Sequence, residues 1–117
     1  MAAGHTCPVL VVNRFRVAEP GSRDAADFRA AIEIAHRTLA GQRGYLGGAV
    51  GCNVDDPTLW VLQTRWVNVG AYRRALSSYD AKLHAWPVLI NALDEPSAYE
   101  VVEPGTDPNI WSARSVG

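Results

Sequence analysis

Cysteine is nearly absent. The 117 residues hold only Cys7 and Cys52, too few for a disulfide framework, and a reducing, cytoplasmic setting is expected. No apolar run approaches the ~18 residues of a membrane span. Residues 1–8 carry neither a basic stretch nor an apolar core, so they read as a loose leader and not as a signal peptide. Excess charge of one sign is missing too: 11 basic and 12 acidic residues leave a net charge of −1. Such a chain has no field to gather nucleic acid or anionic lipid. The three histidines, His5, His36 and His84, fall on separate segments, and neither cysteine belongs to a CxxC, so no metal site is predicted. Gly44, Gly47, Gly48 and Gly51 do not spell GxGxxG and sit where a strand is expected, and there is no Walker lysine. Flavin, nicotinamide and nucleotide sites are therefore not supported. No serine stands in GxSxG, and Cys52, with no histidine beside it in sequence, reads as a small core residue.

What is present is a 48% hydrophobic, 20% charged chain of one-domain size. A chain this long buries roughly two-thirds of its unfolded surface, enough for a core without staples. Residues 9–17 (VLVVNRFRV) are dense in β-branched and aromatic side chains and predict a strand ending at the turn Pro20-Gly21. Residues 22–39 predict a helix capped by Ser22 or Asp24, with Phe28, Ile32, Ala35 and Leu39 as its apolar stripe. Residues 45–53 and 59–66 predict a hairpin around Asp55-Asp56-Pro57, its first strand thinned by glycine. Glycine inside a strand marks a bulge or a close approach, here expected to be a ligand or a partner sheet. A helix capped by Asn68 is expected over 69–78, and a second, capped by Asp80, over 81–93 with an interruption at Pro87. A last strand is expected over 97–103, then a polar tail over 104–117 whose Ile110 and Trp111 should pack on the body or on a partner. The order βαββαβ is the ferredoxin-like unit: a four-stranded antiparallel sheet with both helices on one face. The other face needs cover, and a homodimer supplies it at least cost.

Two residues stand out against this frame. Asn13 shares a strand face with Val9, Val11, Phe15 and Val17. A buried amide must find partners. It either bonds backbone at an irregularity or faces a ligand oxygen in a pocket, and the sequence leaves both open. Trp66 closes the third strand on the face of Trp60, Leu62 and Thr64. It either packs in the core or aims its indole N–H at a ligand. Tyr72, His84 and Trp86 are further candidates on the helical segments after it.

The strings VVNRFRV, GYLGGAV, LWVLQTRWVNVGAYRRAL and DEPSAYEVV, spread over residues 9–103, resemble the antibiotic biosynthesis monooxygenase family. The resemblance implies a ferredoxin-like α+β domain forming a dimeric α+β barrel. In one branch, the cofactor-free anthrone oxygenases, a first-strand Asn and a third-strand Trp act on the substrate, and Asn13 and Trp66 match those positions. That branch implies oxidation of an aromatic, polyketide-like substrate to a quinone, with molecular oxygen as co-substrate and no cofactor. Asn13 and Trp66 are then the catalytic candidates, with Phe15, Leu62, Tyr72, His84 and Trp86 as substrate-binding ones. A second branch degrades haem, with a helical Trp and a histidine iron ligand. His84 falls near the ligand position, whereas Ala75 stands where that Trp belongs. A third alternative is a member that binds a small molecule without turning it over.

Overall fold

A computed structural model describes residues 7–111. The leader expected over 1–8 and the end of the expected tail lie for the most part outside the described residues. Strand β1 is Val9–Arg16, helix α1 Arg23–Ala40, β2 Tyr45–Cys52 and β3 Leu59–Trp66. The second helical region divides into α2 Val69–Leu76, α3 Tyr79–His84 and α4 Trp86–Leu89, and β4 is Ala98–Glu100. The sheet is antiparallel throughout, in the order β2-β3-β1-β4. The helices pack on one face, giving the expected ferredoxin-like α+β architecture.

The local reasons are mostly those read from sequence. Ser22 caps α1 by accepting from the Ala25 N–H. Ile32, Ala35 and Leu39 from its stripe are buried, and Phe28 packs against them. Asn68 caps α2 by accepting from the Ala71 N–H. The cap of α3 is Ser78, not Asp80, which sits in the first turn. There the Asp80 carboxylate suits the positive end of the helix. The break falls at Ala85, one residue before α4, and Pro87 lies in the first turn of the new helix, where its missing N–H costs nothing. The last strand is three residues long instead of the expected seven. Its pairing with β1 covers only Val9 to Val11, and beyond it the Val101 N–H goes to the Pro8 carbonyl.

The glycines of β2 answer to the protein's own third strand. The β2–β3 register shifts between Tyr45 and Gly47. A Cβ at Gly47 would lie 2.5 Å from the Arg65 guanidinium, and one at Gly48 would collide with the Gln63 carbonyl and crowd the Tyr45 hydroxyl. The close approach expected of a ligand or partner sheet is thus made here by β3 and Tyr45. Gly44 does a separate job. At φ +92° it turns the chain from α1 into β2, and any Cβ there would strike Ala71 on α2.

The tail returns to the sheet edge, where the Glu100 carboxylate accepts from the backbone N–H groups of Asn109 and Ile110. The Ile110 and Trp111 side chains nonetheless remain half-exposed.

Asp56, in the β2–β3 turn, accepts from the Thr58 hydroxyl and backbone N–H and from Arg16, which lower its pKa to about 2. A carboxylate with a depressed folded pKa stabilises above its unfolded pKa and loses that contribution as pH falls through the folded one. Asp56→Asn is therefore expected to flatten the loss of thermal stability between pH 4 and pH 2. Parallel melting curves for the two proteins over that window would refute the assignment.

Candidate active site

β1 is an inner strand, paired to β3 on one side and β4 on the other. Its alternate residues Val9, Val11 and Phe15 are buried beneath the helices, and Asn13 has the same parity. Opposite it in the ladder is Leu62, fully buried. Asn13 therefore points from the middle of the sheet toward the helices. There it lines a cavity of about 240 Å³ with Tyr72, Leu76, Trp86, Leu89 and Ile90. Its side-chain amide has no hydrogen-bond partner among the described residues, yet none of its polar atoms is sealed from solvent. An amide set into an apolar strand face normally finds a protein partner. This one is left open to the cavity.

The remaining walls follow from the capped helices. The Asn68 cap sets Tyr72 in the first turn of α2, and its ring packs against Trp66 with centroids 5.8 Å apart. Burial pushes the Tyr72 phenol above its ordinary pKa, with a hydrogen bond involving Ser97 partly opposing the shift. At neutral pH it is a neutral donor. Leu76 lies one turn further along. Trp86 begins α4, and its indole N–H donates to the Leu76 carbonyl at 2.9 Å, tying the start of α4 to the end of α2. Arg14 makes a two-point ion pair with Glu95, 2.7 Å at each contact, and the Leu93 N–H donates to the Arg14 carbonyl. These contacts fasten the segment after α4 to the strand that carries Asn13.

Of the sequence candidates, Asn13, Tyr72 and Trp86 meet in this one cavity. Trp66 is fully buried one ring behind Tyr72, and its N–H donates to the Thr64 hydroxyl at 2.9 Å. Leu62 and Phe15 are core residues, and Phe15 packs on Phe28 with centroids 5.4 Å apart. His84 is exposed at the C-terminal end of α3 and takes no part in the cavity lining. Leu76, four residues beyond Tyr72, shares its side of α2 as the helical spacing gives, whereas Leu89 and Ile90 were not singled out from sequence because α4 is too short to show a period.

Two other concavities carry less. One, about 500 Å³ on the outer sheet face, is floored by Leu10 and Val12, and its charges are already paired as Arg14–Glu95. The other, about 410 Å³ at the start of α1, mixes Phe15 and Phe28 with Arg16, Asp24 and Asn91. Among the described residues no three His, Cys, Asp or Glu side chains gather as metal ligands would. No described helix is long and apolar enough to cross a membrane.

The sequence pattern of the antibiotic biosynthesis monooxygenase family matches residues 8–85. The chain belongs to this family. No curated protein matches its sequence. Among solved structures it is similar to SnoaB, a cofactor-independent oxygenase from Streptomyces nogalater, at 23% identity and a TM-score of 0.68, over 86% of this chain and 99% of that one. It is also similar to a conserved protein from Methanosarcina mazei, at 16% identity and a TM-score of 0.67, over 87% of this chain and all of the other. A third likeness is to Rv0793 from Mycobacterium tuberculosis, at 19% identity and a TM-score of 0.62, over 85% and 99% of the two chains. At these identities the likenesses establish the fold.

Among the described residues Thr64 is the one buried polar side chain, and it holds the indole of Trp66. Thr64→Val leaves that N–H buried and unpaired and is expected to cost about 1–3 kcal/mol in urea unfolding. Thr64→Ser should restore most of the loss. Equal stability of the valine and serine variants would rule out the hydrogen bond as the cause.

Proposed function

We propose that the chain is a cofactor-independent monooxygenase that oxidises a hydroxyaromatic, anthrone-type carbon acid to a quinone with O₂. The observation that carries this reading is the unpartnered Asn13 amide, held on a rigid strand in an otherwise mostly apolar cavity. Its NH₂ is available to an oxygen on which negative charge develops, and a donor already fixed in place stabilises that charge without having to reorient. The described similarity to a cofactor-independent oxygenase is consistent with this choice.

The substrate supplies the electrons. Loss of a proton from the ring CH₂ gives an enolate whose oxygen Asn13 stabilises. The carbanion reduces O₂ and bonds to it, giving a peroxide anion that takes up a proton. Loss of water from that hydroperoxide leaves the new C=O, so one oxygen atom enters the substrate and the other leaves as water. No carboxylate, imidazole or amine lines the cavity. The first proton therefore goes to solvent from a substrate already acidic, and the amide makes that ionisation easier. The neutral Tyr72 hydroxyl is the second donor at hand. Trp66, with its N–H bound to Thr64, acts by holding the Tyr72 ring. The haem alternative relies on His84, which is exposed and outside this lining, and nothing at the site favours it.

A homodimer belongs to the same proposal. The sheet face away from the helices presents Leu10, Val12 and Val61, only half-buried in one chain, and a second copy packed on it by a two-fold axis would cover them. Light scattering at micromolar concentration is expected to give twice the 12.7 kDa chain mass, and a value near one chain would refute the dimer.

Asn13→Ala is expected to lower oxygen uptake with an anthrone substrate on the order of 10²-fold, with KM changed far less and the melting temperature nearly kept. A folded variant with full turnover would end the catalytic assignment. Binding of the anthrone by the wild-type chain without oxygen uptake would leave the non-catalytic member as the better account.

A further inference from the structure

We propose that Tyr72, Trp66 and Tyr45 form a relay that carries an oxidising equivalent out of the Asn13 cavity to the Tyr45 phenol, whose proton passes to His36 on α1. The relay takes its purpose from the oxygenase reading of that site, whereas its existence can be tested without turnover.

The rings follow one another without a gap. Tyr72 lines the cavity, and its ring lies 5.8 Å, centroid to centroid, from that of the fully buried Trp66. Tyr45 meets Trp66 edge-on at 5.4 Å. It is half-buried, and its hydroxyl lies 2.7 Å from Nε2 of the half-buried His36. Spacing alone does not distinguish this row. Phe15, Phe28 and Trp60 make a second one, with centroids 5.4 and 5.7 Å apart. Two of those rings are phenylalanine, which yields an electron far less readily than a phenol or an indole. The row from Tyr72 to Tyr45 is made wholly of oxidisable rings, and it runs from the cavity to the polar side of a helix.

Hydrogen-bond partners decide where the equivalent comes to rest. An oxidised phenol is a strong acid, and the radical is stabilised where a base takes the proton. The Tyr72 hydroxyl has Ser97 as its partner, and the Trp66 N–H has the Thr64 hydroxyl. Neither hydroxyl is a useful base. Within the row only Tyr45 has an imidazole, whose Nε2 accepts the phenol O–H in the Nδ1–H tautomer. The oxidant comes from the peroxide of the proposed reaction. Where its O–O bond breaks homolytically instead of losing water, an alkoxyl and a hydroxyl radical form. Either radical takes one electron from the Tyr72 end and one proton from solvent, giving an alcohol or water. The electron deficit passes through Trp66 to Tyr45, which becomes a neutral tyrosyl radical as its proton moves to His36 and leaves an imidazolium. A soluble thiol or an ascorbate-type reductant then returns the electron, and His36 returns the proton.

A photo-oxidant tethered at the cavity tests this on the full-length protein. Ile90 lines the cavity and is 74% exposed, so Ile90→Cys, in a chain that also carries Cys7→Ser and Cys52→Ser, can be labelled with a ruthenium polypyridyl. Flash oxidation with an irreversible cobalt(III) acceptor, rapid freezing and electron paramagnetic resonance then identify the ring that holds the radical. A tyrosyl signal is expected. Tyr45→Phe and Trp66→Phe should each lose most of it, and His36→Leu should lower it. Tyr45→Phe removes only a hydroxyl from a half-buried ring and guards against a misfolded Trp66 variant. Tyr79→Phe with Tyr99→Phe, which changes two exposed tyrosines outside the row, should leave the signal unchanged. A tryptophanyl signal alone in the labelled parent, or a tyrosyl yield that survives Tyr45→Phe, overturns the relay. So does a yield unchanged by Trp66→Phe or by His36→Leu in a folded protein. With an anthrone substrate, Tyr45→Phe should keep the initial rate of oxygen uptake and lose activity after fewer turnovers, and an equal lifetime overturns the protective role. A tyrosyl signal with the expected variant pattern but no oxygen uptake overturns the oxygenase reading and leaves the relay standing.

Discussion

The site depends on how one tryptophan is buried. Trp66 ends β3 with no exposed surface, and its only polar atom is satisfied two residues back along its own strand by Thr64. That local pairing frees the ring to pack on both sides. Tyr45 meets it edge-on with centroids 5.4 Å apart, and the Tyr45 hydroxyl in turn bonds His36 on α1 at 2.7 Å. Tyr72 meets it on the cavity side. One residue thus ties the first helix, the edge strand β2 and the second helical region to the centre of the sheet. A buried indole whose N–H lacked a partner would cost a few kcal/mol. Satisfied by Thr64, it leaves the protein no need to send a polar group from the cavity to serve it, and Asn13 and Tyr72 line the space.

Much of this was legible in the sequence because the patterns involved are local. The 3.6-residue stripe of Phe28, Ile32, Ala35 and Leu39, the caps Ser22 and Asn68, and the alternation of β1 each depend on neighbours a few residues away, and each is present. Asn13 was conspicuous for the same reason, as a polar residue on an apolar strand face. What was not legible depends on side-chain rotamers, on local backbone geometry and on contacts distant in sequence. The direction of the Trp66 N–H is set by the Thr64 rotamer, and strand periodicity says only that the two share a face. The cap of α3 fell to Ser78 because two candidates, Ser78 and Asp80, lie two residues apart, and only the backbone decides between them. β4 was expected too long because Val101 and Val102 favour strand, whereas its partner strand β1 begins only at Val9, so the pairing ends there. The glycines of β2 were read as a bulge or as room for something foreign, and the ladder is indeed irregular between Tyr45 and Gly47. They are room for Arg65 and Tyr45, which no pattern within β2 reveals.

His84 shows the limit of carrying a role across by position. It falls at the expected place along the chain, but α3 ends there, and the chain turns at Ala85 into a new helix that brings Trp86 to the cavity in its stead. A break of a single residue changed which side chain faces the site. The break itself was foreseeable from Pro87, which cannot continue a helix but starts one well. Trp86, which the new helix brings to the cavity, stood beside His84 among the candidates read from sequence, and only the fold separates the two.

The neutrality of the cavity then bears on the chemistry. A carboxylate or lysine among these walls would be costly to keep charged and, if charged, would draw water in with it. Asn13 and Tyr72 avoid both problems, since each offers a donor without carrying charge. The only charge in such a site is the one that the substrate develops, and the donors cannot migrate to follow it because a strand and a capped helix hold them. In the proposed reaction a ground-state substrate, uncharged at its oxygen, would gain little from them, whereas the enolate would gain most. Dioxygen, apolar and small, is better accommodated among Leu76, Leu89 and the indole of Trp86 than in water. In that reaction, the same walls that lack a base are those among which the carbanion and O₂ would meet. In the proposed reaction a base at the cavity would speed the first step by worsening the second, and the helix-facing side of β1 carries an amide there instead.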